Sequence, residues 1–165
     1  MEKKPTKYYS TLQEKRLANY FGWSTVSASG ARPFNPGDVK SENWLCECKT
    51  FTEPKDCIHI KKSVWEKLRN EAYSQRKRPV LFLDNGTQKP ENTYAVFGHL
   101  PFESFDDPID LHMRESDKQL SFSHARASEL LRSGGYGKCA MSNDCLVIMT
   151  VSQFKSHISE LGSDG

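Results

Sequence analysis

Fourteen residues, Pro36 to Lys49, constrain what this chain can fold into more than any other stretch. They run Pro36-Gly37-Asp38-Val39, then a polar turn at Ser41-Glu42-Asn43, then Trp44-Leu45-Cys46-Glu47-Cys48-Lys49. Two short strands joined by such a turn form a β-hairpin. Strand side chains alternate faces, so Glu47 and Lys49 point one way while Cys46 and Cys48 point the other. The hairpin is expected to bring Asp38 alongside Glu47 and Lys49. Two carboxylates and an ammonium group on one sheet face are costly to bury unless something binds there. A divalent cation and the water it activates account for all three.

The rest of the composition is ordinary for a globular protein. With 165 residues, 36% hydrophobic and 27% charged, the chain suits one domain with a reasonable core. No apolar run approaches the roughly 20 residues that a membrane-spanning helix needs. The opening Met1-Glu2-Lys3-Lys4-Pro5 has no apolar leader, so no membrane partner is expected and the expected setting is the cytoplasm. There the five cysteines, Cys46, Cys48, Cys57, Cys139 and Cys145, are expected as free thiols.

Charge is divided unevenly along the chain. Residues 1–79 hold 16 Lys and Arg against 9 Asp and Glu, a surplus of 7, whereas residues 80–165 hold 7 against 12, a deficit of 5. The carboxylate hairpin lies in the basic half. Positive charge around a metal-type carboxylate cluster fits a ligand with a phosphate backbone; a solvated basic face is the bland alternative.

Hydrophobic spacing outlines the elements. Residues 1–8 have the character of a flexible basic tail. Leu12, Leu17, Ala18 and Phe21 predict a helix over 11–21, stopped by Gly22 and carrying Glu14. A short strand and a Ser/Ala/Gly loop, Ser27 to Ala31, are expected between Trp23 and Arg32. Val64, Leu68 and Ala72 predict a second helix over 63–75, and Val80-Leu81-Phe82-Leu83 suits a strand buried on both faces. Further strands are expected at Tyr94–Phe97 and Cys145–Met149, and helices at 123–133 and from about Val151 to Leu161. Residues 101–118 are acidic and turn-rich, an expected loop. The alternation of helices and strands argues for one layered α/β domain.

Taken in order, Gln13-Glu14-Lys15-Arg16 on the first helix, Ser29-Gly30, Gly37-Asp38-Val39 and Glu47-Cys48-Lys49 resemble the motif set of the restriction-endonuclease-like PD-(D/E)XK nuclease superfamily. Within it the chain looks most like the Holliday-junction resolvases, especially phage-encoded ones. The resemblance is strongest over residues 11–84 and continues weakly from Leu146 to Ile158. Gly37 stands where the literal motif has proline.

The resemblance implies a single nuclease domain over 1–165 with a restriction-endonuclease-like core. That core is a mixed central β-sheet flanked by helices in the order αβββαβ, with a C-terminal strand and helix added and residues 100–145 as an elaboration. It implies Glu14, Asp38, Glu47 and Lys49 as the catalytic group. Glu14, Asp38, Glu47 and the backbone carbonyl of Cys48 would bind Mg²⁺, for which Mn²⁺ substitutes, since hard cations prefer oxygen ligands. Lys49 would orient the attacking water. Ser29 and the lysines Lys61, Lys62 and Lys67 would contact DNA. The expected partners are a four-way DNA junction and a second copy of the chain, because symmetric cleavage needs two sites in fixed relation.

Each residue also has a plainer reading. Asp38, Glu47 and Lys49 can be an ordinary cross-strand ion pair on a surface hairpin. Glu14 and the lysines can be solvated helix residues, and Ser29 a loop former. Trp23, Trp44 and Trp65 are expected in the core rather than stacked on bases. Cys46-x-Cys48 with Cys57-x-His59 supplies four zinc-type ligands, a rival use of the same segment. Other DNA substrates, such as a flap or linear duplex, and a non-catalytic DNA-binding or inhibitor protein on the same scaffold, are the functional alternatives.

Overall fold

The computed structural model of the chain describes residues 6–25, 39–100 and 107–160. The first half runs α1 (Thr6–Phe21), β1 (Ser24–Thr25), β2 (Val39–Lys40), β3 (Trp44–Lys49), β4 (Cys57–Lys61), α2 (Lys62–Ser74) and β5 (Arg78–Asp84). The second runs β6 (Thr93–Gly98), β7 (Arg114–Glu115), β8 (Gln119–Ser123), α3 (His124–Leu130), β9 (Gly137–Met141), β10 (Asp144–Thr150) and α4 (Val151–Glu160). Seven strands form one mixed sheet in the order β1-β2-β3-β5-β6-β10-β9, and β4-β8-β7 form a smaller one. Among the described residues of the large sheet only β3 and β5 pair in parallel; the other neighbours are antiparallel. A parallel pair needs a crossover, and β4 with α2 supplies it.

The large sheet is buried on both faces because its central strands alternate two apolar sets. Val80 and Phe82 of β5 face one cluster together with Trp44, Cys46 and Cys48 of β3, under α1 and α4. Leu81 and Leu83 face the other with Leu45, under α2 and the small sheet. The expectation of a doubly buried strand at Val80–Leu83 holds, as all four are at most 3% exposed. Phe154 of α4 organises the first cluster, with ring centroids 5.0 Å from Trp44, 5.2 Å from Phe97 and 5.8 Å from Phe82. Trp44 and Trp65 are core residues, each 1% exposed. Trp23 stacks on Phe21 at 4.6 Å.

The hairpin turn forms at Ser41 as expected, where the Ser41 N–H donates to the Trp44 carbonyl at 3.0 Å. Several boundaries differ from the sequence reading. Helix α1 starts at Thr6, so residues 6–8 of the expected tail are helical. A long-range bond helps hold its first turns: the Gln88 side-chain amide donates to the Tyr9 carbonyl at 2.6 Å. Helix α3 covers only His124–Leu130.

The strands β4, β7, β8 and β9 were not expected. Residues 107–145 are therefore not mere excursion: β8 pairs with β4 through Ile58↔Phe122 and Ile60↔Leu120, and these side chains close the second cluster. The β9–β10 turn has Ser142 and Asn143 at φ of 53° and 67°, the twist that two-residue hairpins require. Among the described residues no helix is long and apolar enough to cross a membrane.

Gly86 fixes the loop after β5. Its φ is +108°, and an added Cβ would lie 2.4 Å from the backbone oxygen of Glu53. Backbone cannot rotate away as a side chain can. Gly86→Ala is therefore expected to destabilise the fold by about 2–4 kcal/mol, combining left-handed strain with overpacking, read as a lower denaturant midpoint at constant slope.

Candidate functional site

The C-terminal end of β3 is where Glu14, Glu47 and Lys49 come within electrostatic reach of one another. Among the described residues β2 pairs with β3 through Val39↔Cys46 and Lys40↔Leu45, and β3 runs on through Glu47, Cys48 and Lys49 beside Leu81, Phe82 and Leu83 of β5. Strand alternation acts as expected: Cys46 and Cys48 are buried at 0% and 2%, on the side of α1 and α4. Glu47 and Lys49 share the other face and form an ion pair, Nζ to Oε1 3.2 Å, with side-chain exposures of 24% and 51%. A pair this exposed contributes about 0–1 kcal/mol, too little for stability alone to explain its placement.

Helix α1 brings Glu14 to the same end. The buried Gln13 amide donates to the Lys49 carbonyl at 3.1 Å, joining the helix to the strand terminus. The other Gln13 amide atom, Oε1, is buried without a hydrogen-bond partner. Burial pushes the Glu14 carboxyl above its ordinary value, the Glu47 charge pushes it further, and Lys49 partly offsets both. The fold thus gathers Glu14, Glu47 and Lys49 within electrostatic reach. Asp38 and Ser29 lie outside the described residues. Val39, the covalent neighbour of Asp38, is paired with Cys46, the neighbour of Glu47.

One carboxylate near this site was missed from sequence. Glu71 of α2 has its carboxyl raised by burial and by Glu47, with Lys67 acting against them. Helical spacing held the clue, because Glu71 sits three residues after Leu68 and beside Ala72, at the border of the buried stripe.

The three lysines expected to act together diverge. Lys61 lines a cleft of about 230 Å³ with Lys49. Lys62 lines a separate depression with Glu115 and Asp117. Lys67 lies within electrostatic reach of Glu71. Asp84, a buried carboxylate, also lines the Lys49 cleft and accepts bonds from Thr50 Oγ1 at 2.5 Å and from the backbone N–H groups of Gly86 and Gln88, each at 2.9 Å.

The four zinc-type ligands are not assembled. Cys46 and Cys48 are buried on the α1 and α4 side of the large sheet. Cys57 is exposed on β4, whose Ile58 and Ile60 belong to the opposite cluster, and His59 Nδ1 is 3.0 Å from Gln119 Nε2. Among the described residues no group of three or more His, Cys, Asp or Glu side chains is placed to hold a metal. The two carboxylates that act on one another there, Glu14 and Glu47, are the hard-oxygen donor type that fits Mg²⁺ or Mn²⁺. No family model, curated protein or solved structure matches the chain. Function must therefore be read from the chemistry of the site itself.

Glu14 carries a pH signature. Its carboxyl is raised above the ordinary 4.5, so its protonated form is the one the fold favours. The associated stability is fully present below about pH 4.5 and is lost as pH rises through the raised value. Glu14→Gln removes that loss. In metal-free buffer the variant should melt higher than wild type at pH 7, and the gap should close below pH 4.5 in thermal scans.

Proposed function

We propose that the chain is a metal-dependent DNA endonuclease of the PD-(D/E)XK type that hydrolyses phosphodiester bonds in branched DNA, acting as a Holliday-junction resolvase. The observation that carries this reading is the approach of Glu14, from α1, to Glu47 and Lys49 at the C-terminal end of β3. The strand order β1-β2-β3-β5, with β3 and β5 parallel across α2, supports a core of the αβββαβ kind.

In this reading Glu14, Glu47 and Asp38, with the Cys48 carbonyl, would hold Mg²⁺, or Mn²⁺ in its place. Bound there, the ion would lower the pKa of water and offset charge on the phosphate. Without it the Glu47 charge acts on Glu14, adding to the burial that already raises the Glu14 carboxyl. Lys49 presents its ammonium at an exposed strand end, where it orients water and stabilises charge gathering on the phosphoryl oxygens. Water attacks phosphorus in line and the bond to the 3′ oxygen breaks, leaving a 5′-phosphate and a 3′-hydroxyl. Lys61, in the same cleft as Lys49, holds a neighbouring phosphate, with Ser29 and Lys67 as further contacts. Two copies of the chain cut the two strands of a four-way junction symmetrically.

The test compares a four-way junction, a flap and a linear duplex with Mg²⁺ or Mn²⁺. We expect the junction to be cut fastest. Glu47→Gln and Lys49→Ala should each slow cleavage by about 10²–10⁴-fold while junction binding in the absence of metal persists. Tight junction binding by wild type with no cleavage in either metal would overturn the catalytic reading. Equal cutting of all three DNAs would overturn the junction preference.

A further inference from the structure

The cleft shared by Lys49 and Lys61 is built for more than a phosphate. Its walls are Ile58 of β4, Val64 of α2, and Leu81 and Leu83 of β5. At about 230 Å³ it falls below the roughly 300–1,000 Å³ of drug-sized ligand sites, so it takes one ring system rather than a run of nucleotides. Thr50 and His59 supply hydrogen-bonding groups on its wall, each held in place: Thr50 by Asp84 at 2.5 Å, His59 by Gln119 at 3.0 Å. Two exposed ammonium groups therefore flank an apolar slot with fixed polar groups. A nucleotide has the complementary parts, an anionic phosphate joined to a flat base with apolar faces and a polar edge.

We propose that this cleft receives an unpaired nucleobase turned out of the strand whose phosphate meets Lys49 and Lys61. The proposal rests on the nuclease reading for its biological substrate and names the feature selected, a nucleotide already unstacked. Turning a base out of a continuous duplex costs pairing and stacking energy, and a branch point or loop has already lost part of it. Selection for branched over linear DNA then arises beside the scissile phosphate, within one copy of the chain.

The experiment uses the full chain with labelled Ile, Leu and Val methyl groups, titrated without metal at millimolar concentration. The probes are dAMP, TMP, deoxyribose 5-phosphate and inorganic phosphate. We expect the two nucleotides to shift the methyl signals of Ile58, Val64, Leu81 and Leu83, and the two base-free probes to leave them in place. Val64→Trp, which fills the slot, should abolish those shifts and weaken binding of DNA carrying an unpaired base by about tenfold or more, with fully paired duplex unaffected. If that variant fails to fold, the wild-type titration still decides. Methyl signals that stay still with nucleotides, or move equally with base-free phosphate, overturn the proposal even if the junction is cut. Methyl shifts with nucleotides in a chain that cuts no DNA uphold the base slot and overturn the nuclease reading alone.

Discussion

The register of β3 is the constraint on which the rest of the molecule depends. Trp44, Cys46 and Cys48 enter one core, Leu45 the other, and Glu47 and Lys49 reach the surface on the Leu45 side. A slip of one residue against β5 would exchange the two faces. It would drive Glu47 and Lys49 into the aromatic cluster around Phe154 and bring Cys46 and Cys48 out to water. Burying two charges costs far more than the pair's mutual attraction returns. Trp44 pins the register from the other end, lying 5.0 Å from Phe154 with the Arg78 guanidinium 4.4 Å above its ring. Packing of the strand and placement of the candidate site are thus one event.

The electrostatics of that site run against simple stability. Burial raises the carboxyls of both Glu14 and Glu71 and the Glu47 charge adds to it, while Lys49 and Lys67 only partly offset this. An exposed ion pair worth about 0–1 kcal/mol does not repay such crowding. A cation held between the carboxylates would, as the proposed metal site requires. The small sheet adds a second element, since β4 and α2 contribute walls to the cleft in which Lys49 and Lys61 stand.

Much of this was legible in the sequence, for definite reasons. Alternation between Trp44 and Lys49 is a period-2 signal that the sheet obeys residue by residue. The apolar run Val80–Leu83 suits a strand covered on both sides, and β5 is one. Helix α1 was harder to bound, because what ties its first turns down is a bond from Gln88, 79 residues away. Strands β4 and β8 escaped notice because each has only two buried positions, Ile58 and Ile60, and Leu120 and Phe122. Each makes sense only beside the other. Glu71 was missed for the same reason: a carboxylate at the margin of a helix stripe means nothing until a second carboxylate lies near it.

By itself the sequence determined which residues share a face, because that follows from backbone periodicity within a single strand or helix. It assigned Glu47 and Lys49 to one side of β3 and the two cysteines to the other, and it supplied Glu14 on a helix. Only the tertiary structure decided that Glu14 and Glu71 come within reach of Glu47, that Lys61 joins Lys49 while Lys62 turns elsewhere, and that an apolar slot opens between them. Those outcomes depend on how separate elements pack across dozens of residues, and no local pattern encodes the distance between two faces that meet only after the chain has folded.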